Sequence, residues 1–204
     1  MITIISPAKS LDFESALPEI ETTTPEFSEQ SAQIMTKLKK LSKKKVSELM
    51  KLSKDLTELN VHRYQMWDPS FDDDHSRPAL MTFSGEVFRG IDAQSLNTEQ
   101  LNFSQKHLRI LSGLHGLLRP LDKIRPYRLE MGTSLPIGRK KNLYQYWGDQ
   151  ITNALNTALE AADSSTLVNL ASSEYFRAVN FDKVNGNVIT PVFKDFKNGE
   201  YKVV

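Results

Sequence analysis

Ser31-Ala-Gln-Ile-Met-Thr-Lys-Leu-Lys-Lys-Leu-Ser-Lys-Lys-Lys-Val-Ser-Glu-Leu-Met-Lys-Leu-Ser-Lys-Asp-Leu-Thr-Glu-Leu-Asn60 is the stretch from which the rest of the chain is best read. Its apolar residues Ile34, Leu38, Leu41, Val46, Leu49, Leu52, Leu56 and Leu59 recur mostly at steps of three and four, the spacing of amphipathic helix. Ser42 and Ser53 each stand before a short amphipathic run, where a hydroxyl can accept from the orphan N–H groups that open a helix. The stretch therefore predicts a helix to about Lys40, a tight turn, a short helix near 43–50 and another from Ser53 to about Asn60. Lys37, Lys39, Lys40, Lys43, Lys44, Lys45, Lys51 and Lys54 crowd into it, interrupted only by Glu48 and Asp55.

That crowding is local. The 204 residues carry 26 Lys+Arg against 25 Asp+Glu, a net charge of +1, which excludes a uniformly basic coat. Hydrophobic residues at 39% and charged residues at 25% are ordinary for a globular chain, and the length suffices for a core without staples. Cysteine is absent, which removes disulfides, thiolate nucleophiles and Cys-ligated metal centres. Met1-Ile-Thr-Ile-Ile-Ser6 has no basic leader and turns polar at once, so it reads as a first strand and not a signal peptide. The most apolar stretch, Ile110 to Leu118, is too short for a bilayer, which needs about 20 residues. A cytoplasmic protein without membrane contact is expected.

Working outward from the lysine-rich helices, the β-branched run Ile2–Ile5 predicts a strand that breaks into the loop Ser6-Pro-Ala-Lys9. The Thr- and Glu-rich span from Pro18 to Pro25 reads as a surface connection. Beyond the hairpin, 68–78 reads as a loop and 79–83 as a strand. Gly85 and Gly90 bracket a place of close backbone approach or positive φ. Thr98 predicts the cap of a helix through Leu111, ending at Gly113 or Gly116 and stopped by Pro120. Pro126 makes 125–132 extended or looped.

Leu143, Trp147, Ile151, Leu155 and Leu159 form one stripe and predict a single helix from Asn142 to Ala162, with Gly148 marking close packing. Thr166–Ala171 reads as a buried strand. Asn187–Val192 and Tyr201–Val204 read as two more, joined through Lys197-Asn-Gly-Glu200, whose Asn-Gly pair is a hairpin signal. Strands scattered among helices without βαβα alternation predict an α+β fold. It would be one irregular domain over 1–204, with a mixed β-sheet core wrapped by helices.

Two constellations could carry function. Two short helices meeting at a lysine-bearing turn can present ammonium and amide groups to consecutive phosphates. The plainer reading is a solvated helix face. Lys9, Arg119, Arg128, Glu130 and Asp149 could converge on one phosphate or carboxylate, since arginine's planar fork suits both. Those carboxylates could equally close off the arginines as ion pairs. His62, His75, His107 and His115 lack metal-ligand spacing, and Asp72-Asp-Asp-His75 reads as a solvated acidic loop. Ser172-Ser-Glu174 lies in no nucleophile elbow, and phosphate-cradling glycine loops are absent. No nucleophile, metal site or cofactor is assigned.

Ile5-Ser-Pro-Ala-Lys-Ser-Leu-Asp12, Phe83-Ser-Gly-Glu-Val-Phe-Arg-Gly90 and above all Leu108-Arg-Ile-Leu-Ser-Gly-Leu-His-Gly-Leu-Leu-Arg-Pro-Leu-Asp122 with Pro126-Tyr-Arg-Leu-Glu-Met-Gly132 resemble the YaaA family of bacterial peroxide-stress proteins. Leu143–Thr152, Asn169-Leu-Ala-Ser172 and Pro191-Val-Phe193 extend the resemblance over essentially the whole chain. It implies a helix-hairpin-helix element, duplex DNA binding and a role in limiting peroxide damage linked to intracellular iron. In this sequence the helix-hairpin-helix corresponds to 37–60, with Lys39, Lys40, Lys43, Lys44, Lys45, Lys51 and Lys54 as the expected phosphate contacts. The turn with Ser42 and Lys43 lacks the glycines of the general motif, so ammonium charge would count for more than backbone amides. No base-reading pattern is visible, so little sequence specificity is expected. Family members continue past the position of Val204 into a segment with a basic stretch, and a native product longer than 204 residues is expected. The alternative is an enzyme acting on a phosphorylated or carboxylated small molecule at Lys9, Arg119, Arg128, Glu130 and Asp149.

Overall fold

The computed structural model describes residues 1–197 and 199–203. Its centre is a five-stranded sheet made from strands far apart in sequence. They are β1 (Ile2–Ile5), β2 (Leu108–Ser112), β3 (Gly116–Leu118), β4 (Thr166–Asn169) and β5 (Asn187–Ile189), in the order β3-β2-β1-β4-β5. β1 runs parallel to β2 and β4, β4 runs parallel to β5, and only β3 is antiparallel. Ile4 lies opposite both Arg109 and Asn169. Ile2, Ile4, Ile110 and Leu167 are fully buried, as strands covered on both faces require.

Helices α1 (Ser28–Lys39), α2 (Lys43–Met50), α3 (Lys54–Met66), α4 (Thr98–His107), α5 (Leu143–Trp147) and α6 (Gln150–Ala161) surround the sheet. The fold is α+β, a single domain with a mixed sheet, as the scattered strands imply. Among the described residues no helix is long and apolar enough to cross a membrane.

Several elements differ from the sequence reading, each for a local reason. The helix from Thr98 stops at His107, and the next five residues enter the sheet as β2. Gly113 and Gly116 serve the β2–β3 hairpin and not a helix end. A Cβ on Gly113 would lie 2.5 Å from the Leu129 carbonyl oxygen, and one on Gly116 (φ 67°) would lie 2.7 Å from the Trp147 ring. The helix read over 142–162 breaks at Gly148 (φ 50°) into α5 and α6. Leu143, Trp147, Ile151, Leu155 and Leu159 nevertheless stay on one buried face across the break.

The 79–83 strand is instead a single helical turn, Ala79–Thr82, followed by the two-residue strand Phe83–Ser84. β4 ends at Asn169, because Leu170 turns out to solvent. Gly85 is the place of close approach, its Cβ position 3.0 Å from that of Ala8, and Gly90 sits in open space within a short helix. The C-terminal hairpin pairs β6 (Lys194–Lys197) with β7 (Glu200–Val203), whereas Asn187–Ile189 joins the main sheet. Asn198 of the expected Asn-Gly pair and Val204 lie outside the described residues.

Candidate nucleic-acid interface

The lysine-rich stretch folds as three helices in succession. α1 buries Ser31, Ile34, Met35 and Leu38, and its end is tied to the far end of α3. There the Lys39 Nζ donates to the Trp67 carbonyl at 2.7 Å, and Gln65 Nε2 donates to the Lys39 carbonyl at 3.0 Å. Ser42 and Ser53 are the N-caps of α2 and α3, with hydroxyl oxygens accepting from the Lys45 and Leu56 amides. Val46 and Leu52 pin α2 and the following turn to the core. Lys51 ends α2 in the left-handed region (φ 52°), where helices usually place glycine.

The apolar stripe of α3 is not its buried face. Leu56 and Leu59 are 40% and 42% exposed, while Thr57, Asn60 and Tyr64 face inward. Tyr64 decides this orientation: its hydroxyl donates to the Arg128 carbonyl at 2.5 Å, and burial raises its pKa. Thr57 Oγ1 and Asn60 Nδ2 donate within the helix to the Ser53 and Leu56 carbonyls, while the buried Asn60 Oδ1 has no partner among the described residues.

The structure separates the expected phosphate contacts into two groups. Lys40, Lys43, Lys44, Lys45, Lys51 and Lys54 are exposed. Lys39 is half-buried and engaged with Trp67, so it belongs to the scaffold. Lys43 meets Glu58 and Lys45 meets Glu48, each at 3.4 Å and between side chains at least half exposed, a pairing that solvent largely screens. Lys43, Lys44 and Lys45 fill the first turn of α2, which contains no acidic residue. The helix dipole disfavours cations there, so folding gains nothing from this arrangement, whereas an anion approaching the amides would.

The second constellation does not converge. Lys9 and Arg128 both meet Glu130, at 3.3 and 3.0 Å. Arg119 instead clasps Asp122 through its Nε and Nη2 at 3.0 and 2.8 Å. Asp122 is 1% exposed and also accepts from the Thr23 hydroxyl at 2.6 Å. Asp149 pairs with Lys183 at 2.6 Å, and that bond together with one from Asn180 lowers its pKa. The five residues thus lie in three separate ion-pair groups. Asp122, three residues from Arg119, is the partner that sequence reading overlooked; the i, i+3 spacing across Pro120 was the available signal. Among the described residues no group of three or more His, Asp or Glu could hold a metal ion.

Comparison with known proteins places this geometry. The profile of the peroxide stress protein YaaA family matches residues 1–204. The chain belongs to that family. A UPF0246 protein of Idiomarina loihiensis is 51% identical over all 204 residues of this chain and 79% of its own length. UPF0246 proteins of Aliivibrio fischeri strain MJ11 and Saccharophagus degradans are each 48% identical over the whole chain and 79% and 80% of their own lengths. The YaaA-family match spans both the lysine hairpin and the Leu108–Gly132 run, whose Gly113 and Gly116 the β2–β3 hairpin requires against Leu129 and Trp147.

Proposed function

We propose that this YaaA-family chain binds the phosphate backbone of duplex DNA through the α2–α3 hairpin and so shields DNA during peroxide stress. The observation that supports it is the first turn of α2, where three exposed lysines stand against the helix dipole. α2 is eight residues, about 12 Å, long. Its three exposed lysines and the exposed Lys51 and Lys54 lie within or next to that length and are the phosphate contacts of this reading. Backbone contact carries no base information, so sequence matters little.

Salt dependence tests this. With about four to six phosphates neutralised, log affinity should fall with log salt at a slope of about −4 to −5. Changing Lys43, Lys44 and Lys45 together to Ala should make the slope shallower by about two to three units and weaken binding equally on every duplex. An unchanged titration in the triple variant at low salt would remove DNA binding from this element.

A further inference from the structure

Arg109, on β2, spends one nitrogen on the end of α4. Its Nη1 donates to the Gln105 and Leu108 carbonyls at 2.9 and 2.7 Å, where the negative end of the helix dipole favours a cation. Its Nε and Nη2 are neither bonded nor buried, and no carboxylate pairs with it among the described residues. Arg119 gives its Nε and Nη2 to Asp122 and the Thr24 carbonyl, and its Nη1 is left over, again unbonded and not buried. A half-buried arginine without a carboxylate is uncommon, because charge drawn partly out of water ordinarily takes a partner.

The two arginines line one cavity of about 510 Å³, within the range of small-molecule sites. The exposed Lys106 adds a third cation, and Asp163 is the one carboxylate among the lining residues. Ala158 and Ala161 of α6 form part of the wall, small side chains that leave room and an apolar surface. Burial first, and then the like charge of Arg119, lower the Arg109 pKa, against smaller opposing effects of Asp122 and Glu26. Those two carboxylates line a smaller neighbouring cavity instead, and Asp122 is already committed to Arg119 and Thr23. The larger cavity is left with a cationic excess that an anion would relieve.

We infer that this cavity binds a small phosphate-bearing molecule, its phosphate oxygens accepting from the unbonded N–H groups of Arg109 and Arg119 and its uncharged remainder lying on the alanine wall. Two guanidiniums and a lysine match the nearly two charges and three terminal oxygens of a phosphate monoester near neutral pH. The site does not depend on the lysine hairpin.

Calorimetric titration of the intact chain at low salt with ribose 5-phosphate, inorganic phosphate and ribose tests the inference. Ribose 5-phosphate should bind saturably, inorganic phosphate should compete with it more weakly, and ribose should not bind. Arg109→Gln, which keeps a donor for the α4 carbonyls, should weaken ribose 5-phosphate by about tenfold, the worth of one hydrogen bond to a charged group. Ala161→Glu, at an exposed helix end on the cavity wall, adds a negative charge without entering the core; it should weaken binding at least as much while leaving the urea midpoint close to that of the parent. The Lys43/Lys44/Lys45→Ala variant should bind ribose 5-phosphate as the parent does, which separates this site from DNA binding. No saturable binding of either phosphate at millimolar concentration, equal binding of ribose, or equal affinity in both cavity variants and the parent would overturn it. So would a loss of duplex DNA affinity in Arg109→Gln, which would assign these cations to a nucleic-acid strand.

Discussion

The lysine hairpin at 40–54 and the loop at 119–130 are both rich in cations, and they treat them in opposite ways. In the loop each arginine is in an ion pair with at least one member largely withdrawn from water: Arg119 with the buried Asp122, the buried Arg125 with Asp68 and Asp72, and Arg128 with Glu130. In the hairpin the cations are lysines, out in solvent, and the two carboxylates that approach them are about half exposed. The difference teaches where charge serves the fold and where it remains free for a partner. A buried pair fixes an irregular segment because breaking it strands a charge, whereas an exposed pair adds little and can be exchanged for a phosphate.

The largest effect should come from the loop. Asp122→Ala removes the buried acceptor of the Arg119 Nε and the Thr23 hydroxyl and leaves Arg119, partly exposed, only the Thr24 carbonyl, and should cost about 2–3 kcal/mol. Urea midpoints of variant and parent measure it; a loss below about 1 kcal/mol would erase the contrast between the regions.

Next comes a pH effect beneath the same loop. His115 is fully buried between Ser31 and Tyr127, and burial lowers its pKa from 6.5 to about 3. Below the ordinary histidine pKa the unfolded chain takes up a proton that the folded chain refuses, so stability is full above about 6.5 and falls as pH drops toward about 3. Between about pH 7 and about pH 5 the loss from this ring should be about 2 kcal/mol. His115→Asn, which can keep the bond to Ser31, should flatten that part of the profile; an equal slope in parent and variant would show that the ring titrates freely. Asp12, Asp68 and Asp72, whose carboxyls hydrogen bonds hold below the ordinary value of 3.8, add their losses at lower pH.

A smaller effect is expected for Arg128→Ala. Glu130 is a quarter exposed and keeps Lys9, so no carboxylate is stranded and the cost should be about 1 kcal/mol by thermal or urea unfolding. The smallest is the Lys43, Lys44 and Lys45 triple change to Ala. Its effect on folding should lie within about 0.5 kcal/mol, with a slight stabilisation favoured because the dipole and mutual repulsion oppose those lysines. A large loss there would mean that the hairpin's charges hold the fold after all.

Much of the hairpin was legible in the sequence. Ser42 and Ser53 cap the helices they announce, and the boundaries of α2 agree with the reading, because capping and short-range periodicity are local. The burial of α3 was not legible. Leu56 and Leu59 look like its core face, yet Tyr64 and its bond to Arg128, 64 residues away, turn the helix the other way. The same holds for 108–112, where neighbouring residues suggest a continuing helix and pairing with β1, about a hundred residues earlier, makes a strand. The anion constellation failed for a related reason: residue types identified cations in need of partners, and chain geometry chose Asp122 and Lys183 as the unexpected ones.

By itself, then, the sequence determined the α+β class, the three-helix lysine segment with its caps and the buried stripe from Leu143 to Leu159. Membership of the YaaA family was also legible, through long runs such as Leu108–Asp122. These follow from spacing and residue chemistry along a few turns of chain. Only the tertiary structure decided which face of α3 is buried and which carboxylate each arginine takes. Those outcomes depend on contacts between residues tens to more than a hundred positions apart, where burial and pairing energies outweigh local preference.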